Sequence, residues 1–507
     1  MTRNKTARPV LAVDIGTSSV RVLAFDVEGT VLGRRQIAYE TLRPRPFFEE
    51  QDPDLVRNEV YRAMRDILTS GEIAPGAIDA IAFSSQMYGV FALDGEGEPL
   101  TNNILWSDGR AEPQADAIKA ANGALWLYPE TGCPMNSIYP LAKLAWLRKT
   151  EPEIFAAARR FVSIKEYVTA PLVGEWVVDY SMASATGMFD IRAHAWHSRA
   201  LAAAGIRVDQ LSRPVSGLHR FRVKPDSPLS SLGLRDDVAV FPGGGDGPLA
   251  NLGSGASGVG AINIDLGTSG AARCITDSAT VDDDASLWCF CLTDRLWAYG
   301  GILTNVGNAY QWLGSNVLGA AGLGSDEAYA LLNRLAAEAE PGAGGLFFLP
   351  YLRKARSPYW DGRLKGVIYG LNADHGMPHI ARALLEAIAY DLKSIVDLID
   401  KRIVTVPHII LTGGLSRSQV LPQLLADVLG REIRTSEEGE GSVAGAAILA
   451  LQGIGAIEDL AFSAGGSPCA SFTPDQGLHT EYRSLHGSYS RLVGAMRESV
   501  FSEGELR

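Results

Sequence analysis

Val13-Asp14-Ile15-Gly16-Thr17-Ser18-Ser19 near the N-terminus returns as Ile264-Asp265-Leu266-Gly267-Thr268-Ser269-Gly270 in the middle of the chain. The offset from Asp14 to Asp265 is 251 residues in a chain of 507. Stacked repeats recur every ~20–50 residues, so a solenoid is excluded. The pattern predicts two related α/β halves. Each carries a Gly-Thr-Ser turn at the carboxyl end of a strand, where sheets of this class bind ligands.

Working outward from the first copy, residues 10–13 read as a buried strand, 20–26 as a second and 31–37 as a third, after the turn Glu28-Gly29-Thr30. Asp52 and Pro53 open a helix whose apolar residues Val56, Val60, Met64, Ile67 and Leu68 keep helical spacing until Gly71. Beyond the second copy, 346–349 and 408–412 read as strands and about 378–400 as a long amphipathic helix. Residues 413–418 are expected to open a helix through 429, and 442–451 form a helix of small residues. From Ser463 the chain is rich in Gly, Ser and Pro, and 479–500 reads as helical. Gly243-Gly244-Gly245-Asp246-Gly247 reads as a hinge with Asp246 exposed on flexible backbone. The expected domains are therefore 1–249 and 250–460, with a helical extension over 461–507.

Composition narrows the function. Apolar residues make up 46% and charged residues 21%, as in a folded globular protein. Lys plus Arg is 46 against Asp plus Glu 58, a net charge of −12, which argues against binding nucleic acid. No apolar run is long enough for a membrane span, and the one after the basic N-terminus is too short for a signal peptide. Cys133, Cys274, Cys289, Cys291 and Cys469 form no CxxC pair, so reduced thiols in a cytoplasm are expected. Cys289 and Cys291 read as two positions on one strand face.

In the two turns, glycine lets main chain approach a phosphate, and Thr and Ser hydroxyls donate to its oxygens. Asp14 beside the first turn is placed to hold a hydrated Mg²⁺ that bridges phosphates. An ordinary hairpin is the alternative for one copy, and the repetition favours phosphate. Asp246 reads equally as a proton acceptor or as a turn-forming residue. Gly413-Gly414 resembles a nucleotide contact. Gly253-x-Gly255-x-x-Gly258 precedes a strand (259–264) rather than a helix, so it is not a dinucleotide fingerprint, and no P-loop motif occurs. His375 and His379 are separated by Gly376 and Pro378, and His194 and His197 lack a partner spacing. All four read as structural.

Longer motifs add a resemblance. Tyr139-Pro140-x-x-Lys143-Leu144-x-Trp146 is similar to the first signature of the FGGY carbohydrate kinases. Gly366-x-Ile368-x-Gly370-Leu371 with His379-Ile380-x-x-Ala383-Leu384-Leu385-Glu386 is similar to the second. The resemblance runs from about Val10 to Ala456. It implies two ribonuclease-H-like domains of the actin/hexokinase/heat-shock-chaperone ATPase superfamily, facing across a deep cleft, with ATP-Mg²⁺ and a polyol as ligands. By the same resemblance Asp14, Gly16, Thr17, Ser18 and Ser19 match the first phosphate motif, and Gly267 and Thr268 the second. Gly307, Gln311, Gly413, Gly414 and Ser418 match nucleotide-side residues, Ser418 standing where glycerol kinases have Asn. Asp246 matches the catalytic base. Gln86, Met87, Tyr88, Trp106, Asp108 and Asn136 fall on the sugar side, followed by Arg110.

Within the family, 131–134, 164–168 and 178–185 look most like bacterial gluconokinases. Three positions depart from that pattern: Tyr88 and Asn136 replace histidines, and Ala355 stands where a glutamate is usual. The resemblance thus implies ATP-dependent phosphorylation of a primary hydroxyl on an open-chain sugar acid, gluconate first. Xylulose or another pentulose, glycerol and cyclitols are the alternative acceptors. A non-catalytic, nucleotide-gated binding protein is the rival from another class. A cytoplasmic enzyme is expected, with no nucleic-acid or membrane partner, and a homodimer is compatible with it.

Overall fold

The computed structural model describes residues 8–318, 325–436, 440–460 and 470–499. Contacts divide them into two units. The first holds 8–259, 275–299 and 440–460, and the second holds 260–274, 300–318, 325–436 and 470–499.

In the first unit Val10–Ile15, Ser19–Phe25 and Val31–Ala38 form an antiparallel meander. Ala80–Ser85 runs parallel to Val10–Ile15, Ala239–Gly245 runs parallel to Ala80–Ser85, and Phe221–Arg222 forms the edge. Leu11, Val13, Ile15, Ile81 and Phe83 share a buried cluster with Val56, Val60, Met64 and Ile67 of the helix Pro53–Thr69. Burial of these side chains is the main stabilising term. Asp52 caps that helix as expected, accepting from the N–H groups of Asp54 and Leu55.

The helix Gly441–Gly453 packs on Val10–Ile15, on Ala80–Ser85 and on the helix Asp246–Gly253. Glycines make the helix pair close. A Cβ at Gly445 would lie 2.1 Å from the Leu249 carbonyl oxygen, and one at Gly253 1.9 Å from that of Gly441.

The second unit repeats the opening. Ile262–Leu266 pairs antiparallel with the strand Gly270–Thr276 and parallel with His408–Thr412. Glu432–Thr435 follows in parallel, and Ala470–Phe472 closes the edge. The helix Met377–Asp400 packs with Leu421–Leu429 and Gln476–Ser499. Among the described residues no helix is long and apolar enough to cross a membrane. Cys133, Cys274, Cys289 and Cys291 are buried, the last two on the strand Trp288–Cys291.

Several expectations change. The contact division differs from a single cut near residue 250, because 275–299 and 440–460 both pack with the first unit. A helix buried along Ser442–Leu451 must find apolar partners, and the sheet around Val10–Ile15 supplies them. The glycine run is not a flexible hinge. Gly243, Gly244 and Gly245 end a buried strand, and Asp246, half-buried, begins a helix. Glycine is required there for space: a Cβ at Gly243 would meet the Phe83 carbonyl oxygen at 1.9 Å, with φ at +70°. No single helix opens at 413. A short 3₁₀ turn over Gly414–Arg417 ends at Ser418, which is extended, and Leu421–Leu429 follows. The strand expected at 259–264 is Ile262–Leu266. The readings at 461–469, including Ser463 and Cys469, and at residue 500 lie outside the described residues.

Candidate active site

The antiparallel pairing of Val10–Ile15 with Ser19–Phe25 sets Asp14 opposite Arg21. Between them the turn closes with the Gly16 N–H donating to the Ser19 carbonyl at 3.0 Å. The Asp14 carboxylate is 2% exposed and held on both oxygens. Ser84 Oγ donates to Oδ1 at 2.6 Å, and Arg21 donates to Oδ2 from Nη2 at 2.5 Å and from Nε at 3.1 Å. Arg21 Nη2 also reaches Ser442 Oγ at 3.3 Å.

Asp14, Gly16, Thr17, Ser18 and Ser19 line a cavity of about 310 Å³ together with Asp246, Arg21, Gln36 and Ser442. The cavity thus brings the first phosphate motif and the expected base to one place. Asp246 Oδ1 accepts from the Gly247 N–H at 2.7 Å, which fixes one carboxylate oxygen at the start of its helix.

The residues expected on the sugar side divide. Gln86 and Trp106 brace the turn: Gln86 Nε2 donates to the Gly16 carbonyl at 3.2 Å, and the Trp106 indole donates to Thr17 Oγ1 at 3.0 Å. Met87 packs against Gly245, where a Cβ would lie 2.7 Å from its sulfur. Tyr88 sits in left-handed backbone at φ 69°, its ring edge-on to Tyr139 and Phe290. Lys143 Nζ holds that segment by donating to the carbonyls of Tyr88 at 2.8 Å and Leu105 at 2.7 Å. None of the six residues expected on the sugar side lines this cavity. The Asp108 carboxylate takes Arg110 Nη2 at 2.7 Å and the Glu49 N–H at 2.7 Å, and Asn136 Oδ1 accepts from the Ile138 N–H at 3.1 Å.

In the second unit the Gly267 N–H donates to the Ser269 carbonyl at 2.9 Å. The helix Gly307–Trp312 presents its first N–H groups to this turn, Gly307 to the Gly267 carbonyl at 3.2 Å and Asn308 to that of Thr268 at 3.1 Å. Gly413, at φ +88°, lies against it: a Cβ there would come 2.5 Å from the Leu266 carbonyl oxygen. Gln311 lines a separate cavity with Asn308, Trp312 and Arg353. Gly414 opens the 3₁₀ turn. The Ser418 hydroxyl is engaged locally, donating to Asn333 Oδ1 at 2.8 Å and accepting from the Leu421 N–H at 3.0 Å.

Arg21, Gln36 and Ser442 were not among the residues singled out from the sequence. Arg21 had a local signal: in a hairpin the residue paired with Asp14 follows from the turn length. Ser442 had none, since it is brought from 428 positions away. At His194 the ring stacks on Tyr180 at 4.5 Å, and the His375 and His379 rings lie 5.1 Å apart.

The donor set around Asp14 fits magnesium. Two carboxylates and several hydroxyls in one polar cavity are the hard oxygen ligands that ion prefers. Among the described residues no three His, Cys, Asp or Glu side chains group as a metal cage. Magnesium commonly takes one or two carboxylates and completes its shell with water and phosphate.

Each of the two α/β units opens on a Gly-Thr-Ser hairpin, and the first sets a carboxylate in a hydroxyl-lined cavity. Models of the FGGY family of carbohydrate kinases match residues 9–253 (N-terminal domain) and 262–453 (C-terminal domain). A gluconokinase of Bacillus subtilis is 35% identical over 489 residues, covering 94% of each chain. The crystal structure of gluconate kinase from Lactobacillus acidophilus aligns with TM-score 0.89 at 28% identity, covering 97% of this chain and 98% of that one. A ligand-bound xylulose kinase from the same organism aligns with TM-score 0.90, also at 28% identity, covering 97% and 99%. The chain belongs to the FGGY family of carbohydrate kinases.

Proposed function

We propose that the protein transfers the γ-phosphoryl group of ATP to a primary hydroxyl of an open-chain sugar acid, gluconate first. The observation that carries this reading is Asp246 in one cavity with the Gly16–Ser19 turn. Asp246 accepts the proton of the hydroxyl as its oxygen bonds to the γ-phosphorus, and the bond from that phosphorus to the bridging oxygen breaks to release ADP. Thr17, Ser18 and Ser19 donate to phosphate oxygens, and Arg21 adds positive charge beside Asp14. Asp14 would hold Mg²⁺, which when bound would supply positive charge to offset that of the phosphates. Gly267, Thr268, Gly307, Gln311, Gly413, Gly414 and Ser418 serve the nucleotide. Gln86, Met87, Tyr88, Trp106, Asp108 and Asn136 serve the acceptor. Buried thiols suit a cytoplasmic setting.

A ketose acceptor such as xylulose is the second reading. It is favoured by the alignment with the xylulose kinase. The test measures ADP release and acceptor phosphate with gluconate, xylulose, ribulose, glycerol and cyclitols. Gluconate should give the highest kcat/KM. ATP bound but never transferred to any acceptor would overturn the kinase reading in favour of the non-catalytic rival. In Asp246→Asn, kcat should fall by about 10²–10⁴-fold while both ligands still bind. A near-unchanged kcat in that variant would remove Asp246 from the base role.

A further inference from the structure

Asp246 follows three glycines, and a run without side chains cannot hold itself in register. Its main-chain groups must be held from outside. The peptide joining Gly244 to Gly245 is held at both ends. Its carbonyl oxygen accepts from Lys165 Nζ at 2.8 Å, and its N–H donates to Ser181 Oγ at 3.0 Å. Asp179 ties the two holders together. Its carboxylate lies 2.5 Å from Lys165 Nζ, and its other oxygen caps the helix Tyr180–Ser184, accepting from the Met182 N–H at 2.9 Å. Lys165, Asp179 and Ser181 are each no more than 2% exposed.

Burying an ammonium and a carboxylate carries a large desolvation penalty for each ion, and apolar residues would often fill such space as well. The charged pair therefore calls for an account beyond packing. Burial pushes the Lys165 ammonium below its ordinary range, while Asp179 and, more weakly, Asp246 pull it back up. The pair and the Asp246 carboxylate are thus in electrostatic contact.

The geometry assigns Lys165 as a positioning residue for Asp246: with Asp179 and Ser181 it clamps the Gly244–Gly245 peptide and so aims the carboxylate that follows. This inference rests on the reading of Asp246 as the base. Misplacing a reacting group by an ångström costs up to about 10²-fold in rate.

The experiment compares Lys165→Met/Asp179→Asn, which removes both buried charges, with Ser181→Ala and Lys165→Arg. The expected result is a kcat about 10- to 100-fold lower in the double variant, with both KM values within about twofold of the parent. In Lys165→Met alone the acid limb of the pH–kcat profile should move to higher pH, because a positive charge near the carboxylate is gone while Asp179 keeps its negative one. Ser181→Ala, which leaves the charges in place, should lower kcat less and leave the acid limb unmoved. Lys165→Arg should recover part of kcat. A lowered melting temperature with unchanged kcat in both the double variant and Ser181→Ala, and an unchanged pH profile in Lys165→Met, would show a purely structural role and overturn the inference. The Asp246→Asn background separates the two readings. If Asp246→Asn is inactive and the clamp variants are normal, only the clamp fails. If Asp246→Asn retains full kcat, the base reading fails first.

Discussion

The two Gly-Thr-Ser hairpins share a sequence, but they are closed differently and held by different means. The glycine N–H closes the first onto Ser19, three residues on, and the second onto Ser269, two residues on. Around the first, side chains do the holding: Tyr39 and Gln86 donate to the Gly16 carbonyl, Gln51 to that of Thr17 and Trp106 to the Thr17 hydroxyl. Around the second, the N–H groups of Gly307 and Asn308 do it. Their acids differ most. Asp14 is buried between Ser84 and Arg21, whereas the Asp265 side chain is 42% exposed, with Arg273 at 3.6 Å and the Thr412 hydroxyl at 3.4 Å. A repeated motif thus fixes a turn, and its neighbours decide whether the adjacent carboxylate is a fixed charge or a surface acid.

The comparison breaks most readily at those acids. Asp14→Asn should lower kcat by about a hundredfold or more, because it removes a preorganised charge and leaves Arg21 without its carboxylate. Asp265→Asn should change kcat by no more than about threefold, as expected of an exposed, loosely held group. Equal losses in steady-state kinetics would show that the two carboxylates do the same work. The next effect belongs to the second turn. Thr268→Val removes one hydroxyl donor at a cost of about 1–3 kcal/mol, so nucleotide KM or kcat should worsen by roughly tenfold to a hundredfold while calorimetric sugar binding is retained. Unchanged nucleotide kinetics would take Thr268 out of the site.

A smaller effect probes the side-chain bracing of the first turn. Trp106→Phe keeps the ring but loses the indole donor to Thr17, worth about 0.5–1.5 kcal/mol, so kcat/KM should drop severalfold. No change would mean that the turn holds without it.

The smallest effect on turnover concerns the unit with the second hairpin, where Asp391 is buried beneath the hydroxyls of Tyr351 and Tyr489, each at 3.1 Å. Burial pushes its pKa up to about 7, partly offset by those hydroxyls. An unfolded chain holds that proton only up to about pH 4. The folded state therefore binds more protons between about pH 4 and pH 7, and stability from this group is lost as pH rises across that window. The melting temperature of the parent should fall over that range relative to Asp391→Asn, with kcat unaffected. Parallel slopes in the two proteins would contradict the assignment.

The hairpins were legible because their information is local: a strand, a turn of fixed length and a strand. Capping by Asp52 and the long helix at 377–400 were legible for the same reason. The strand Ala239–Gly245 was hidden by its own composition, since Pro and three glycines read as a loop. Only the tertiary approach of Phe83 explains why glycine is there. Within the site, Asp14 and Asp246 carried motifs. Arg21 needed the hairpin register, and Ser442, Lys165 and Ser181 needed the folded chain, because no spacing in sequence joins them to Asp246.

The return of the helix Gly441–Gly453 to the first unit has a consequence for synthesis. A ribosome makes the strands Val10–Ile15 and Ala80–Ser85 early, but the helix that covers them emerges only near the end of the chain. Until then, the surface where Gly445 settles against Leu249 stays open to water and to chaperones. No single cut of the polypeptide can free the first unit whole: a fragment ending at residue 259 lacks its last layer. Only a chain that rejoins both 275–299 and 440–460 to the segment ending at 259 would carry that unit intact.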